Sequence, residues 1–98
     1  MAIPLTTQHS PLTISIVTPT PPGSRKGNRI TALRWLRMLR ELGHRVTVQE
    51  QYEGEPCDVL VALHARRSFS SIERFRREHP DVPLVVALTG TEIGRAHV

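Results

Sequence analysis

Two stretches of this chain are apolar at every position: Val59-Leu60-Val61-Ala62-Leu63 and Leu84-Val85-Val86-Ala87-Leu88. An extended strand points successive side chains to opposite faces, so a strand with no polar position needs cover on both. Such strands belong to parallel sheets with helices packed on each side. A third segment, Leu12-Thr13-Ile14-Ser15-Ile16-Val17-Thr18, is rich in β-branched residues, alternates at first and then turns apolar. It suits the first strand of the same sheet. Residues 44–49 alternate through Arg45, Val46, Thr47 and Val48 and predict one more strand.

After the first strand the period becomes helical. Between Asn28 and Leu42, at about 100° per residue, Ala32, Trp35, Leu36, Met38, Leu39 and Leu42 share one side. Arg29, Arg34, Arg37, Arg40 and Glu41 take the other, with Arg37 and Glu41 spaced as an i, i+4 pair. Asn28 is placed to cap the start, and Gly43 to stop the helix in the left-handed conformation. Ser70 and Glu73 have capping-box spacing, which predicts a short helix through Ile72, Phe75 and Glu78 before Pro80. The order β-α-β-β-α-β with apolar strands predicts an α/β fold, a Rossmann-like parallel sheet with flanking helices. One link is awkward. Residues 51–56 are few for a parallel crossover, which usually takes about a dozen residues. They either run extended across the sheet edge or join an antiparallel pair of strands; the parallel arrangement is the expectation.

Composition bounds the rest. Ninety-eight residues make one small domain, and 39% hydrophobic against 22% charged residues rules out wholesale disorder. Residues 1–12, with Pro4 and Pro11, read as a flexible arm. No segment has the look of a signal peptide or the length of a membrane span, so a cytoplasmic location without membrane attachment is expected. Cys57 stands alone, which excludes an intrachain disulfide and any cysteine-cluster zinc site. His9, His79 and His97 show no metal-ligand spacing with any partner, and no metal site is expected. His44, following Gly43, reads as structural, and Ser68, Ser70 and Ser71 as helix-start residues rather than nucleophiles.

Thirteen basic residues against nine acidic ones give a net charge of +4, and Lys26 is the one lysine. The placement of these charges says more than their sum. Arg25, Lys26, Arg29, Arg34, Arg37, Arg40 and Arg45 face a single acid, Glu41, over residues 24–45, whereas Glu50, Glu53, Glu55 and Asp58 meet no base over residues 46–60. Open parallel sheets bind ligands beyond the carboxyl ends of their strands. Three polar segments fall there: 19–29, 64–68 and 89–91. Arg25, Lys26 and Arg29 lie in the first, His64, Arg66 and Arg67 in the second, and Thr89, Gly90 and Thr91 in the third. Gly23 and Gly27 allow close backbone approach, with Ser24 between them in the candidate anion-binding loop, and the amides of Asn28 and Arg29 open a helix whose N-terminus favours anions. The spacing is neither the dinucleotide fingerprint nor a phosphate-binding P-loop. A small-anion site is the expectation, beside the plainer one of a β-to-α turn that needs its glycines. Arg34, Arg37 and Arg40 read as a solvated helix face.

These residues also carry a resemblance. Ile16-Val17-Thr18-Pro19, Pro21-Pro22-Gly23-Ser24-Arg25 and Gly27-Asn28-Arg29 resemble the opening of a GT-B-fold glycosyltransferase. Leu42-Gly43-His44-Arg45-Val46, Ala62-Leu63-His64-Ala65-Arg66-Arg67-Ser68 and Leu88-Thr89-Gly90-Thr91 continue it. Within that fold the chain is similar to the selenosugar-forming enzymes of selenoneine biosynthesis. The resemblance implies the N-terminal, acceptor-side half of a transferase that moves N-acetylglucosamine from UDP-N-acetylglucosamine to selenophosphate, with no further cofactor. It implies that Arg25, Lys26 and Arg29 cradle the anion. Residues 23–27 would approach the reacting sugar and diphosphate, and His64, Arg66, Arg67, Thr89, Gly90 and Thr91 would line the cleft. The catalytic residues and the donor site would lie in a C-terminal half.

The pattern breaks after Thr91. Glu92 is followed by Ile93-Gly94-Arg95-Ala96-His97-Val98 where the family has Leu-Tyr. Those six residues are what a common sequencing adapter would encode, so residues 13–92 are expected to be native domain and 93–98 a non-native tail. Two alternatives stay open: a transferase of the same fold with a conventional sugar or small-molecule acceptor, and a small basic nucleic-acid-binding module using Arg34, Arg37 and Arg40. The absence of a helix-turn-helix or an aromatic stacking platform weighs against the second.

Overall fold

The computed structural model describes residues 10–19 and 27–87. Four strands, β1 (Thr13–Val17), β2 (Arg45–Gln49), β3 (Val59–Leu63) and β4 (Leu84–Ala87), form one sheet in the order β2-β1-β3-β4. Every pairing is parallel. Two helices, α1 (Gly27–Glu41) and α2 (Phe69–Glu78), complete an α/β, Rossmann-like arrangement.

The awkward link is resolved by strand order. β2 and β3 are not neighbours, because both pair with β1, in the registers Ile14↔Val46 and Ile14↔Val59. Residues 50–58 therefore cross over β1 and do not run along the sheet edge. Tyr52, within this link, is buried against Val17, Leu60 and Phe75. Its amide donates to Ser71 Oγ at 3.0 Å. One buried aromatic ring stands where a crossover helix would otherwise cover β1.

Alternation along the strands divides the core. Ile14, Ile16, Val46 and Leu63 pack with Ala32 of α1, backed by Trp35, Leu36 and Leu39. Val17 and Leu60 pack on the opposite face with Tyr52 and with Phe75 of α2. Fully burying a side chain such as Phe75, Ile16 or Leu63 is worth roughly 1.5–3 kcal/mol each. The apolar stripe of α1 is narrower than its sequence implies. Met38 and Leu42, expected inward, are 48% and 65% exposed. α1 lies chiefly over β2, with less contact to β1, so the residues flanking its central stripe find little of the sheet to cover them. β4 is likewise less covered than an all-apolar strand predicts: Val85 and Val86, on opposite faces of this edge strand, are both exposed.

The helix ends follow backbone chemistry. Gly43 has φ +97°, its amide donates to the Arg40 carbonyl (3.0 Å), and the His44 amide donates to the Leu39 carbonyl (3.1 Å). That is a Schellman stop, as the glycine predicts. At the other end α1 begins at Gly27, one residue before the expected cap Asn28. The capping box of Ser70 and Glu73 does not form. α2 starts at Phe69 with Ser68 in the cap position, and no side chain caps the helix. The Ser68 hydroxyl instead donates to the Leu63 carbonyl at 2.6 Å, tying the helix start to the end of β3. The Arg37–Glu41 pair is also absent, whereas Arg74 and Glu78 of α2, equally spaced, meet at 2.8 Å.

Candidate functional site

The strand order reverses between β1 and β3. From β1 the chain passes through α1 to β2 on one side, while β3 and β4 extend the sheet on the other. The crevice at the carboxyl ends of β1 and β3 is thus the topological switch point, where open α/β sheets take their ligands. Continuing the register Val17↔Ala62 brings Thr18 beside Leu63 and Pro19 beside His64. Thr18 is fully buried at this rim, and its amide donates to the Gln49 carbonyl at 2.8 Å.

His64 turns the chain out of β3 with φ +62°, the one described residue other than glycine in the left-handed region. Hydrogen bonds hold it there. Its amide donates to Ala87 of β4 (3.1 Å), its carbonyl accepts from the Ser68 amide (2.9 Å), and Nδ1 accepts from the Arg67 amide (3.5 Å). A neutral ring that accepts at Nδ1 carries its proton on Nε2. Left-handed residues outside glycine collect at functional sites, where neighbouring structure over-determines the backbone.

Of the expected site residues, Gly27, Asn28 and Arg29 form the first turn of α1, at the helix end that lies toward the same rim. The space beside Gly27 is open. Arg29 is half-buried, and its Nε is enclosed without a hydrogen-bond partner. Arg66 and Arg67 are exposed in the turn after β3. The structure therefore places Gly27, Arg29, His64, Arg66 and Arg67 on the carboxyl-end rim that the sequence predicts for them. Gly23, Ser24, Arg25, Lys26, Thr89, Gly90 and Thr91 lie outside the described residues.

Other expected candidates have local roles. His44 accepts the Leu12 amide at Nδ1 (3.0 Å), and the Arg45 amide donates to the Leu12 carbonyl (2.8 Å), so Leu12 is tied to the start of β2. Arg40 folds back onto the Val46 carbonyl at 3.0 Å. Cys57 is half-buried, and burial pushes its thiol above the ordinary value, reinforced by the carboxylates of Glu55 and Asp58. Such a thiol is a poor nucleophile near neutral pH.

Sequence reasoning missed three features. Phe69 is 59% exposed immediately after the Arg66–Arg67 turn, where an apolar first helical residue gave no sign of facing solvent. Gln49 Nε2 donates both to Ser15 Oγ (2.6 Å) and to the Glu55 carboxylate, which pins the link over β1. Glu55 Oε1 is enclosed without a partner. Finally, Arg74, Phe75 and His79 of the α2 region gather around Tyr52, from a separation that no local pattern connects. Among the described residues no helix is long and apolar enough to cross a membrane. The chain matches no protein-family model and no curated protein.

Proposed function

We propose that this chain is the acceptor-side part of a glycosyltransferase and that its switch-point rim binds a small anionic acceptor. The observation that carries the reading is the convergence of the first turn of α1, Arg29, Arg66, Arg67 and the left-handed His64 on the crevice between β1 and β3. Helix amides and guanidinium groups together favour an anion, and arginine favours a planar or tetrahedral oxyanion over a diffuse one. The more specific form rests on the family resemblance: selenophosphate as acceptor and UDP-N-acetylglucosamine as donor. In that reaction the selenium attacks the anomeric carbon of the donor sugar. A C–Se bond forms, the C–O bond to the diphosphate breaks, and UDP leaves with the electron pair. On this side of the cleft, the residues hold the acceptor's phosphoryl oxygens and aim its selenium.

The test has two levels. Titrating the 98-residue chain with inorganic phosphate should shift the backbone NMR signals of Gly27, Arg29, His64, Arg66 and Arg67, and Arg29→Ala should weaken that response several-fold. Shifts spread evenly over the surface would overturn the anion site. The full-length protein should release UDP from UDP-N-acetylglucosamine in the presence of selenophosphate. UDP release with a sugar or another small-molecule acceptor, and none with selenophosphate, would retain the transferase and discard the selenium acceptor.

A further inference from the structure

The two edges of the sheet differ. In a strand, alternate residues direct their backbone groups to opposite neighbours. The Arg45 amide and the Gln49 carbonyl both bond toward β1, so Val46 and Val48 direct theirs out of the sheet. That edge is blunted, because Arg40 of α1 donates to the outward Val46 carbonyl at 3.0 Å. At the opposite edge the amides of Leu60 and His64 donate to the Pro83 and Ala87 carbonyls. The amides and carbonyls of Leu84 and Val86 therefore point outward, and no described residue hydrogen-bonds to them. Pro83 lacks an amide on the side facing β3, which leaves the outer edge unblocked. Residues 82–91 also carry no charge. Charge, proline and covering side chains are what keep an edge strand single, and among the described residues β4 has none of them on its outer side.

We infer that β4 pairs with β4 of a second copy, antiparallel about a two-fold axis at Val85, joining the two sheets into one. A row of amides and carbonyls two residues apart is matched by another strand. The pattern along this strand selects the same chain as the occupant. A two-fold contact is self-complementary: if residue i meets residue j, then j meets i. With Val85 on the axis, Leu84 of each copy lies opposite Val86 of the other, and each such pair exchanges two hydrogen bonds. Val85 meets its own counterpart on the α1 face of the sheet, which α1 does not cover at β4. Leu84 and Val86 meet on the α2 face, so apolar side chains oppose each other throughout and no like charges do. Val85 and Val86, 50% and 41% exposed, gain the cover that an all-apolar strand needs. The blunted β2 edge stops further addition, so the pair closes as a dimer. β3 lies between β4 and the switch-point crevice, and the dimer stands independently of the proposed function.

The interface is small, so the dissociation constant should be on the order of 100 µM. Sedimentation equilibrium of the 98-residue chain across that range should give a mass rising from 11.0 kDa toward twice that value. Val85→Lys, at an exposed position, sets like charges opposite each other on the axis and should weaken association about tenfold or more. Cross-linking in a Cys57→Ser background reads the register. Residues directly opposed in a non-hydrogen-bonded pair lie about 4.5 Å apart at Cα, within disulfide reach. Val85→Cys should therefore link two copies under mild oxidation. Val86→Cys, two residues out of register with its counterpart and about 7–8 Å from it, should link about tenfold more slowly. Circular dichroism checks that each variant is folded. A monomer at all concentrations, Val85→Lys dimerising like the parent, or equal cross-linking from both positions would each overturn the proposal. An edge that takes its strand from some other chain predicts the first of these.

Discussion

The hydroxyl of Tyr52 and Nε2 of His79 lie 2.8 Å apart, joining the β2–β3 link to the residue that ends α2. The same hydroxyl lies 3.2 Å from the Glu55 carbonyl, to which it donates. A phenol has one proton, so both contacts are satisfied together only when Nε2 carries the hydrogen and donates to the phenol oxygen. The ring stands edge-on to Phe75, at 5.2 Å and 89°, with the Arg74 guanidinium 5.3 Å from its centroid. Tyr52→Phe keeps the packing and strands a donor and an acceptor, which should cost roughly 1–3 kcal/mol. Tyr52→Ala should cost about 3–5 kcal/mol, as for other large aromatic truncations. Urea unfolding of both variants checks the ranking; a Tyr52→Phe variant as stable as the parent would mean that the hydroxyl contributes nothing, and equal losses that the ring adds nothing to it.

Gly43 and Gly54 separate conformational cost from steric cost. Both have left-handed φ, +97° and +96°. A Cβ at Gly43 would meet nothing within 4 Å, so Gly43→Ala should cost about 1–2 kcal/mol through backbone conformation alone. A Cβ at Gly54 would sit 2.7 Å from Arg74 Nη2, displacing a side chain that donates to the Tyr52 carbonyl. Gly54→Ala should therefore cost more than Gly43→Ala. Adding Arg74→Ala should cost less in the Gly54→Ala background than alone, which a double-mutant cycle in thermal unfolding reads directly.

Two weakly acidic side chains, the buried Tyr52 and the half-buried Cys57, limit stability at alkaline pH. Burial raises the Tyr52 phenol above its ordinary 10.0, and the nearby Glu78 carboxylate adds to this. Burial raises the Cys57 thiol above its ordinary 9.0, and Glu55 and Asp58 add to that. Each group is neutral when protonated, and the folded state holds the proton more firmly than the unfolded chain. Their contribution is complete below the unfolded values and is lost as pH rises through the folded ones. Stability should accordingly fall as pH climbs past 9.0, with the thiol contributing before the phenol. Native Cys57 should also react with iodoacetamide more slowly at pH 8 than it does in urea. A native rate equal to the unfolded rate would show the thiol to be unperturbed.

What was legible in the sequence depended on whether the deciding contacts were local. α1 and β3 were legible because period and apolarity are properties of a few consecutive residues, and Gly43 because only its neighbours decide its φ. Met38 and Leu42 were misread, because whether a flanking residue is buried depends on how many strands the helix covers. Strand order was not legible either. Nothing in residues 45–49 or 59–63 records that β1 lies between them, and that placement is what makes a nine-residue link sufficient. Arg29, His64, Arg66 and Arg67 were placed on one rim by a rule about strand ends, not by their spacing. The left-handed turn at His64 left no mark, since neither glycine nor asparagine announces it.

That turn gives the last prediction. His64 holds φ +62° at the switch point, fixed by Ala87, Ser68 and Arg67. Glycine adopts this conformation without strain, although the unfolded chain gains freedom, so His64→Gly should change stability by less than about 1 kcal/mol. His64→Val places a β-branched residue in the same conformation and should cost roughly 1–2 kcal/mol more than glycine. Function should order the variants differently. If the imidazole faces the ligand, His64→Gly is as stable as the parent yet weakens phosphate binding at the rim, with Arg29→Ala as the reference loss. Thermal unfolding and phosphate titration on the same samples measure the two effects separately. A glycine variant that keeps full affinity would assign His64 to shaping the turn and remove its side chain from the site.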